Sequence, residues 1–152
     1  MMVIVVVGIL ALMAIPALQD NAMKSQVKDG LQLADVAKKG VQAFWTLTGE
    51  MPKNNKDAGV PESHKIVGNM VKDVRVHDGA ITLTYGNNAA RGLDNKHVTL
   101  RPAVVPGEAA VPIAWVCAKV AVPKGMEAQG RDETDIQMSW LPVECRGAAE
   151  KK

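Results

Sequence analysis

The stretch that decides the fold is MMVIVVVGILALMAIPALQD, residues 1–20. Its first eighteen residues carry no charge and no hydrogen-bonding side chain, and the first charged residue is Asp20. Eighteen residues of helix extend about 27 Å, close to the thickness of the hydrocarbon core of a bilayer. A cleaved secretory signal would begin with basic residues and end with small residues two positions apart, and the segment has neither feature. We therefore expect residues 1–22 to be buried in lipid or against copies of the same segment.

The apolar pattern continues beyond Pro16 on a single helical face. Spacings of four and three predict an amphipathic helix that ends near Leu47, where Gly49 and Pro52 act as stop signals. The positions on this face are Val27, Leu31, Ala34, Ala37, Val41 and Phe44. A helix that is apolar on all sides in its first half and on one side in its second half has two burial partners. The second half packs on its own domain, and the first half needs lipid or identical neighbours.

Residues 71–85, VKDVRVHDGAITLTY, alternate apolar and polar side chains around an Asp-Gly dipeptide. That dipeptide is favoured in two-residue hairpin turns. The predicted register places Val74 opposite Leu83 and Val76 opposite Ile81. Both apolar pairs then lie on one side of the hairpin, and the simplest partner for that side is the amphipathic helix.

Two further strands are predicted at 96–101, ended by Pro102, and at 111–120. With a polar loop at 49–71 and the sheet at 72–120, the element order gives an α+β fold. In this fold the long N-terminal helix packs on one face of a four-stranded antiparallel sheet, and the other face is exposed to solvent. We divide the chain into an apolar segment, 1–22, and a globular head, 23–152, whose first part, 23–48, is the amphipathic half of the helix.

Cys117 and Cys145 are the two cysteines of the chain. Because they lack CxxC spacing and a nearby histidine cluster, a disulfide is favoured over a metal site, and a disulfide implies an oxidising compartment. Two free thiols are the alternative. A bond would close a loop of about 29 residues and stabilise the fold by about 3.5 kcal/mol in the chain-entropy model. The tail from Ala121 to Arg146 is irregular and its stretch PKGMEAQGRDETD has little apolar surface, so we expect this bond to keep it ordered.

Enzymatic, cofactor and metal functions have no support in the sequence. His64, His77 and His97 lie in different predicted elements without ligand spacing, and no serine lies in a GxSxG context. No glycine-rich phosphate loop occurs. A net charge of +2, with basic residues scattered among acidic ones, is too mild to imply a dedicated nucleic-acid-binding surface. We predict a non-enzymatic protein with no cofactor and no metal.

The run from Met1 to Asp20, with Gly8 eight residues before Pro16, resembles the N-terminal helix of type IV pilins, in particular the type IVa major pilins. The segments ITLTYGNNA, IAWVC and LPVECR are similar to the same family. The resemblance implies the pilin fold and a structural subunit that polymerises through its N-terminal helix into a surface filament. It also implies adhesion, twitching motility and DNA uptake as functions, and exposure of the region 117–145 on the filament.

The same resemblance implies the partners and the location of the chain. The partners are copies of itself, membrane lipid before assembly, and the pilus assembly machinery of the bacterial inner membrane. A host surface receptor or DNA are further partners. We expect the subunit to reside in the inner membrane and then in the extracellular filament.

A break in the helix is predicted at Gly8, Leu12 and Pro16. Pro16 removes a backbone hydrogen bond and its ring collides with the carbonyl of Leu12, and Gly8 weakens the helix further. In the family the corresponding stretch loses helical order in the filament, so we expect residues 9–15 to be partly extended there. The family's methylated aromatic first residue and nearby glutamate have no counterpart here, and we expect Met1 to correspond to a position a few residues further on.

Two other functions are compatible with the same family. One is a minor or competence pilin that captures DNA, which salt-dependent DNA binding by the head would reveal. The other is a pseudopilin of type II secretion. The cysteine pair near the C-terminus argues against it, because pseudopilins usually stabilise this region with calcium.

Overall fold

The computed structural model describes residues 18–147, and every structural statement below refers to them. The first described element is a helix, α1, at 18–31. A turn at 32–33 separates it from α2, Ala34–Thr48. The predicted helix break at Gly8, Leu12 and Pro16 lies outside the described residues, and the division of the chain at residue 22 stays a prediction. Within 18–147, no helix combines the length and apolar character that a membrane crossing requires.

The turn between the helices is local. The Leu33 N–H donates to the Gly30 carbonyl at 3.0 Å and the Asp35 N–H donates to the Gln32 carbonyl at 3.2 Å. These tighter bonds to the third residue back replace the α-helical pattern for one turn. The helix then continues to Thr48 and ends where Gly49 adopts a left-handed backbone conformation, φ 70°. The predicted helix and its glycine stop are confirmed, with one interruption that the sequence did not indicate.

The buried face of the helix follows the predicted spacing. Val27, Ala34, Ala37 and Val41 are completely buried. At the C-terminal end the core position is taken by Trp45, whereas the neighbouring Phe44 is half-buried. The expected apolar face is thus confirmed for most of its length and shifts by one residue in the last turn.

The sheet is an antiparallel meander packed against this face. Its strands are β1, Val71–His77; β2, Ala80–Tyr85; β3, His97–Val104; β4, Ala114–Cys117; and a short fifth strand, β5, Glu127–Ala128. The order is β1-β2-β3-β4, and β5 pairs with β3. The predicted α+β architecture is confirmed, with β5 added to the expected strands.

The predicted hairpin register is confirmed. Val74 pairs with Leu83 and Val76 pairs with Ile81, and all four side chains are buried. The turn between the strands has positive φ at both Asp78 and Gly79, 48° and 81°. Two consecutive residues with positive φ form the turn type whose twist matches that of the flanking strands.

The third and fourth strands differ from their predicted bounds. β3 runs through Pro102 to Val104 because β2 pairs with β3 only as far as Leu100, so the missing N–H of Pro102 falls beyond the end of β2. β4 is shorter than 111–120. Ala118 has a positive φ of 51°, which ends the extended conformation after Cys117.

The expectation that the second face of the sheet is exposed is wrong for its centre, although Arg75 and His77 on the same face are exposed. Thr82 and Thr99, whose side chains point away from the helix, are buried, and their hydroxyl oxygens lie 3.0 Å apart. The region 130–135 covers them. Gly130 packs against Ala80, and the Glu133 N–H donates to the Thr99 hydroxyl at 3.0 Å. The polar side chains of Thr82 and Thr99 are therefore shielded from solvent by the region 130–135.

The disulfide between Cys117 and Cys145 is confirmed. It joins the end of β4 to a short 3-10 turn, Val143–Cys145, and both cysteines are buried. The bond therefore ties the chain that crosses the second face of the sheet back to the last strand of the meander.

Candidate functional site: the seat of the N-terminal helix

Helix α1 rests on the head through a row of contacts that we call the helix seat, formed by Asp20, Met23, Gln26, Val27 and Gly30. These residues recur at helical spacing and lie on one face. The contacts come from three separate parts of the head. They fix the orientation of α1 on the head.

The deepest contact of the helix seat is made by Tyr85, at the end of β2. Its hydroxyl donates to the carbonyl of Val27 at 2.6 Å, and both residues are completely buried. Burial raises the pKa of the Tyr85 hydroxyl well above its usual value, and the negative charge of Asp29 raises it further. The phenol therefore stays protonated and remains a hydrogen-bond donor.

Gly30 allows the helix to approach this tyrosine. A Cβ at Gly30 would lie 2.5 Å from a ring carbon of Tyr85 and 2.8 Å from a methyl group of Val71. Any side chain would therefore push the helix away from the sheet. Glycine lowers the stability of a helix, but at this position it allows the backbone of α1 to lie close to Tyr85.

The connection between β2 and β3 provides the second contact. The backbone N–H of Ala90 donates to the side-chain oxygen of Gln26 at 2.8 Å. Gly92, in the same connection, lies close to the methyl group of Met23, which would be 3.4 Å from a Cβ at that position. One helical turn is thus held by a hydrogen bond and an apolar contact to the same loop.

The region bounded by the disulfide provides the third contact. The indole N–H of Trp140 donates to a carboxylate oxygen of Asp20 at 2.9 Å. The indole also packs on Gly92, where a Cβ would lie 2.8 Å from the ring. Asp20 and Trp140 are 120 positions apart, so this bond connects the start of the described chain with its C-terminal part.

Helix α2 is fixed to the opposite end of the sheet by the loop 49–71. A Cβ on Gly40 would lie 2.3 Å from the carbonyl oxygen of Ala58, so the helix and the loop touch through their backbones. The buried Asn55 fastens the loop to β1. Its amide donates to the Val74 carbonyl at 3.0 Å, and its oxygen accepts from the Val76 N–H at 2.8 Å.

Comparison with known proteins gives the family of the chain. The family model for pilins, the subunits of a bacterial filament, matches residues 23–146. The chain belongs to the pilin family. It is a structural filament subunit, since members of this family are structural proteins rather than enzymes.

The pilin is similar to several curated proteins over nearly its whole length. The type IV major pilin protein PilE1 of Neisseria gonorrhoeae is 34% identical, with 98% of this chain and 84% of the relative covered. A fimbrial protein of Neisseria meningitidis serogroup B is 32% identical, with 99% and 91% covered. The fimbrial protein EcpC of Eikenella corrodens is 30% identical, with 98% and 87% covered. The resemblance inferred from the N-terminal and C-terminal motifs is confirmed.

The histidines of this pilin do not come together. Each has its own carboxylate partner: Glu62 for His64 at 3.4 Å, Asp78 for His77 at 3.2 Å, and Asp135 for His97 at 3.0 Å. Among residues 18–147, no group of His, Cys, Asp and Glu side chains could hold a metal ion.

His97 and Asp135 form the most extensive of these pairs. Asp135 accepts hydrogen bonds from the backbone N–H of His97, at 2.6 Å, and its other oxygen lies 3.0 Å from the His97 ring. Burial alone would raise the pKa of the Asp135 carboxyl, but the hydrogen bonds and the charge of His97, with the nearby Lys96, lower it below its usual value. The pair attaches the region 130–135 to the start of β3.

Sequence reasoning missed most of the helix seat. The inward direction of Tyr85 could have been found, because it continues the alternation of Ile81 and Leu83 on the face that packs on the helix. The bond between Asp20 and Trp140 had no such signal, since neither residue belongs to a repeating pattern. Trp115 lines a cavity of about 200 Å³ together with both cysteines.

Proposed function

We propose that this pilin is the repeating subunit of a type IV pilus and that it polymerises through its N-terminal helix. The observation that carries the proposal is the uncharged stretch of eighteen residues that leads directly into the helix seat. A segment this apolar cannot remain in water, and its length matches the hydrocarbon core of a bilayer. Lipid and copies of the same segment are its two possible environments.

The exposure of α1 supports this proposal. Val27 is the first buried residue of the described chain, and the residues 18–26 that precede it are exposed or half-buried. Leu18 is 68% exposed. The head therefore stops covering the helix before the apolar segment begins, so the apolar segment needs cover from outside its own chain.

Polymerisation follows from contacts that do not close into a ring. When the apolar segment of one subunit packs against those of neighbours displaced along an axis, the same contact repeats and produces an open helical filament. Loss of helical order between Gly8 and Pro16, around Leu12, would let the segment extend as it enters the filament. The chemistry of Pro16 within a helix supports that step.

The cellular roles that we assign are surface adhesion and twitching motility, with DNA uptake as a further role. The subunit would start in the bacterial inner membrane, where the pilus assembly machinery would extract it into the extracellular filament. The similarity to type IV major pilins and fimbrial proteins supports this assignment. The disulfide between Cys117 and Cys145 also supports a location outside the reducing cytoplasm.

Electron microscopy of filaments sheared from the cell surface tests the proposal, with mass spectrometry to identify the protein in the filament fraction. We expect thin filaments composed mainly of this chain. A Leu12→Lys variant should abolish the filaments, because a charge would be buried in their core. The matched control is Ser25→Lys, which places the same charge at an exposed position of α1. Filaments that lack the chain, or Leu12→Lys filaments as abundant as those with Ser25→Lys, would contradict the proposal.

A further inference from the structure

We propose that Trp140 and Asp20 are positioning residues through which the disulfide-bounded region sets the direction of the N-terminal helix. The hydrogen bond between them connects two parts of the chain with different tasks. One is the C-terminal region closed by the disulfide, and the other is the first described turn of α1, which follows the apolar segment in the sequence. A change in the first part is therefore transmitted to the second.

The helix has few other attachments at this end. Within 18–25, the part of α1 that precedes Gln26, Asp20 is the residue whose side chain hydrogen-bonds to the head, and Met23 adds an apolar contact. The first buried residue is Val27. Loss of the Trp140 contact would leave about two turns of helix without a hydrogen bond to the head.

Trp140 is well placed to hold Asp20 because its own position is fixed on two sides. Its ring packs on Gly92, where a side chain would collide with it. Behind it, the guanidinium of Arg146 donates to the carbonyls of Leu141 and Ser139 at 2.8 and 3.1 Å. Cys145 lies in the sequence between Leu141 and Arg146, and its disulfide joins this turn to Cys117 of β4. The disulfide, the turn around Trp140 and the first described turn of α1 form one connected series.

The consequence for the filament rests on the proposed function. The orientation of α1 at Asp20 sets the direction in which the apolar segment enters the filament. A tilt of α1 on the head would therefore change which residues of neighbouring segments meet. Trp140 and Asp20 would therefore influence the symmetry of the filament.

Hydrogen exchange of the full-length chain in detergent micelles tests the positioning role without requiring filaments. Asp20→Ala and Trp140→Phe should each raise the exchange rate of the amides at 21–25 by about tenfold, while the strands stay protected. Asp20→Asn keeps an oxygen acceptor and should restore the rate of the unmodified chain. Trp115→Phe is the matched aromatic control and should leave these amides unchanged.

Two outcomes would overturn the proposal. One is an unchanged exchange rate at 21–25 in both Asp20→Ala and Trp140→Phe. The other is an Asp20→Asn variant that exchanges as fast as Asp20→Ala, because that would mean the charge, and not the hydrogen bond, holds the helix. The double variant of Asp20→Ala and Trp140→Phe should exchange no faster than either single variant, since both remove the same bond. Additive effects would also overturn the proposal.

A variant away from the helix tests transmission from the C-terminal region. Arg146→Met removes the two bonds that support the turn around Trp140, and it should raise exchange at 21–25 in the normal chain but not in a Trp140→Phe background. Equal increases in both backgrounds would contradict transmission through Trp140. If these micelle results hold and no filament forms, the proposed function fails while the positioning role stands. If filaments form and the exchange rate at 21–25 is unchanged in the variants, the positioning role fails while the proposed function stands.

Discussion

The hydroxyl of Tyr85 donates to the carbonyl of Val27 at 2.6 Å, and neither residue is accessible to solvent. One buried hydrogen bond thus connects the end of β2 with the backbone of the helix that follows the apolar segment in the sequence. The helix approaches this closely because Gly30 has no side chain. The position of the helix on the sheet therefore depends on the hydroxyl donor of Tyr85 and on the absence of a side chain at Gly30.

Replacing Tyr85 with Phe should lower the free energy of unfolding by about 1–3 kcal/mol, because the buried Val27 carbonyl loses a hydrogen-bond donor. Thr46→Val is the matched control. It also removes a hydroxyl that donates to a helix carbonyl, that of Gln42 at 2.9 Å, but at an exposed site. The control should change stability by less than about 0.5 kcal/mol. Equal effects in denaturant unfolding would contradict the role assigned to the buried bond.

Gly30→Ala should destabilise the protein by about 1–3 kcal/mol, although alanine is the better helix former by about 1 kcal/mol. The added methyl group would collide with the Tyr85 ring. Gly68→Ala is the control, since its nearest neighbour would be a Leu33 methyl group at an ordinary contact distance of 3.4 Å. Thermal unfolding should show a clear loss for the first variant and little change for the second. A Gly30→Ala protein more stable than the unmodified chain would refute the close packing.

Reducing the disulfide between Cys117 and Cys145 should cost about 3.5 kcal/mol of stability in the chain-entropy model. The loss should affect the region 130–135 first, because that region crosses the second face of the sheet through polar contacts. Thermal unfolding with and without a dithiol reductant measures the effect. A variant with alanine at both cysteine positions is the control and should not respond to reductant. An unchanged midpoint for the reduced native chain would contradict this prediction.

The pair of His97 and Asp135 predicts how stability depends on pH in acid. The pKa of Asp135 is lower in the folded chain than its ordinary value, so the unfolded chain binds more protons in this range. The stabilisation is present above the ordinary carboxyl pKa and is lost as the pH falls through the lowered one. Unfolding midpoints measured between about pH 5 and about pH 2 should therefore fall less steeply for Asp135→Asn than for the native chain. An identical slope would show that the pair does not contribute.

Sequence patterns that repeat at regular spacing predicted the helix and the hairpin. The helix face was predicted from spacing, and the hairpin register from the alternation around Asp78 and Gly79, because both patterns are repeated over several residues. The cover on the second face of the sheet was not predicted, since Thr82 and Thr99 are polar and polar residues usually face water. Their burial is compensated because groups of 130–135 bond to Thr99, and the Thr82 hydroxyl bonds to the hydroxyl of Thr99.

The helix seat shows the same limit. In the sequence, Gly30 is only a glycine that weakens a helix. Its role in close packing becomes visible once the position of Tyr85 is known. The bond between Asp20 and Trp140 depends on where two distant segments meet, and a single sequence has no signal for that meeting. Contacts that occur once, between segments far apart in the chain, are the part of the site that only three-dimensional structure provides.

The central claim is that the apolar N-terminal segment must exchange lipid for copies of itself. Sedimentation of the purified full-length chain during stepwise detergent removal tests it most directly. We expect the chain to leave the micelles only as large assemblies, whereas a variant with lysine at Val5 and Leu12 should remain small. A full-length native chain that stays a monodisperse monomer in buffer without detergent would contradict the claim.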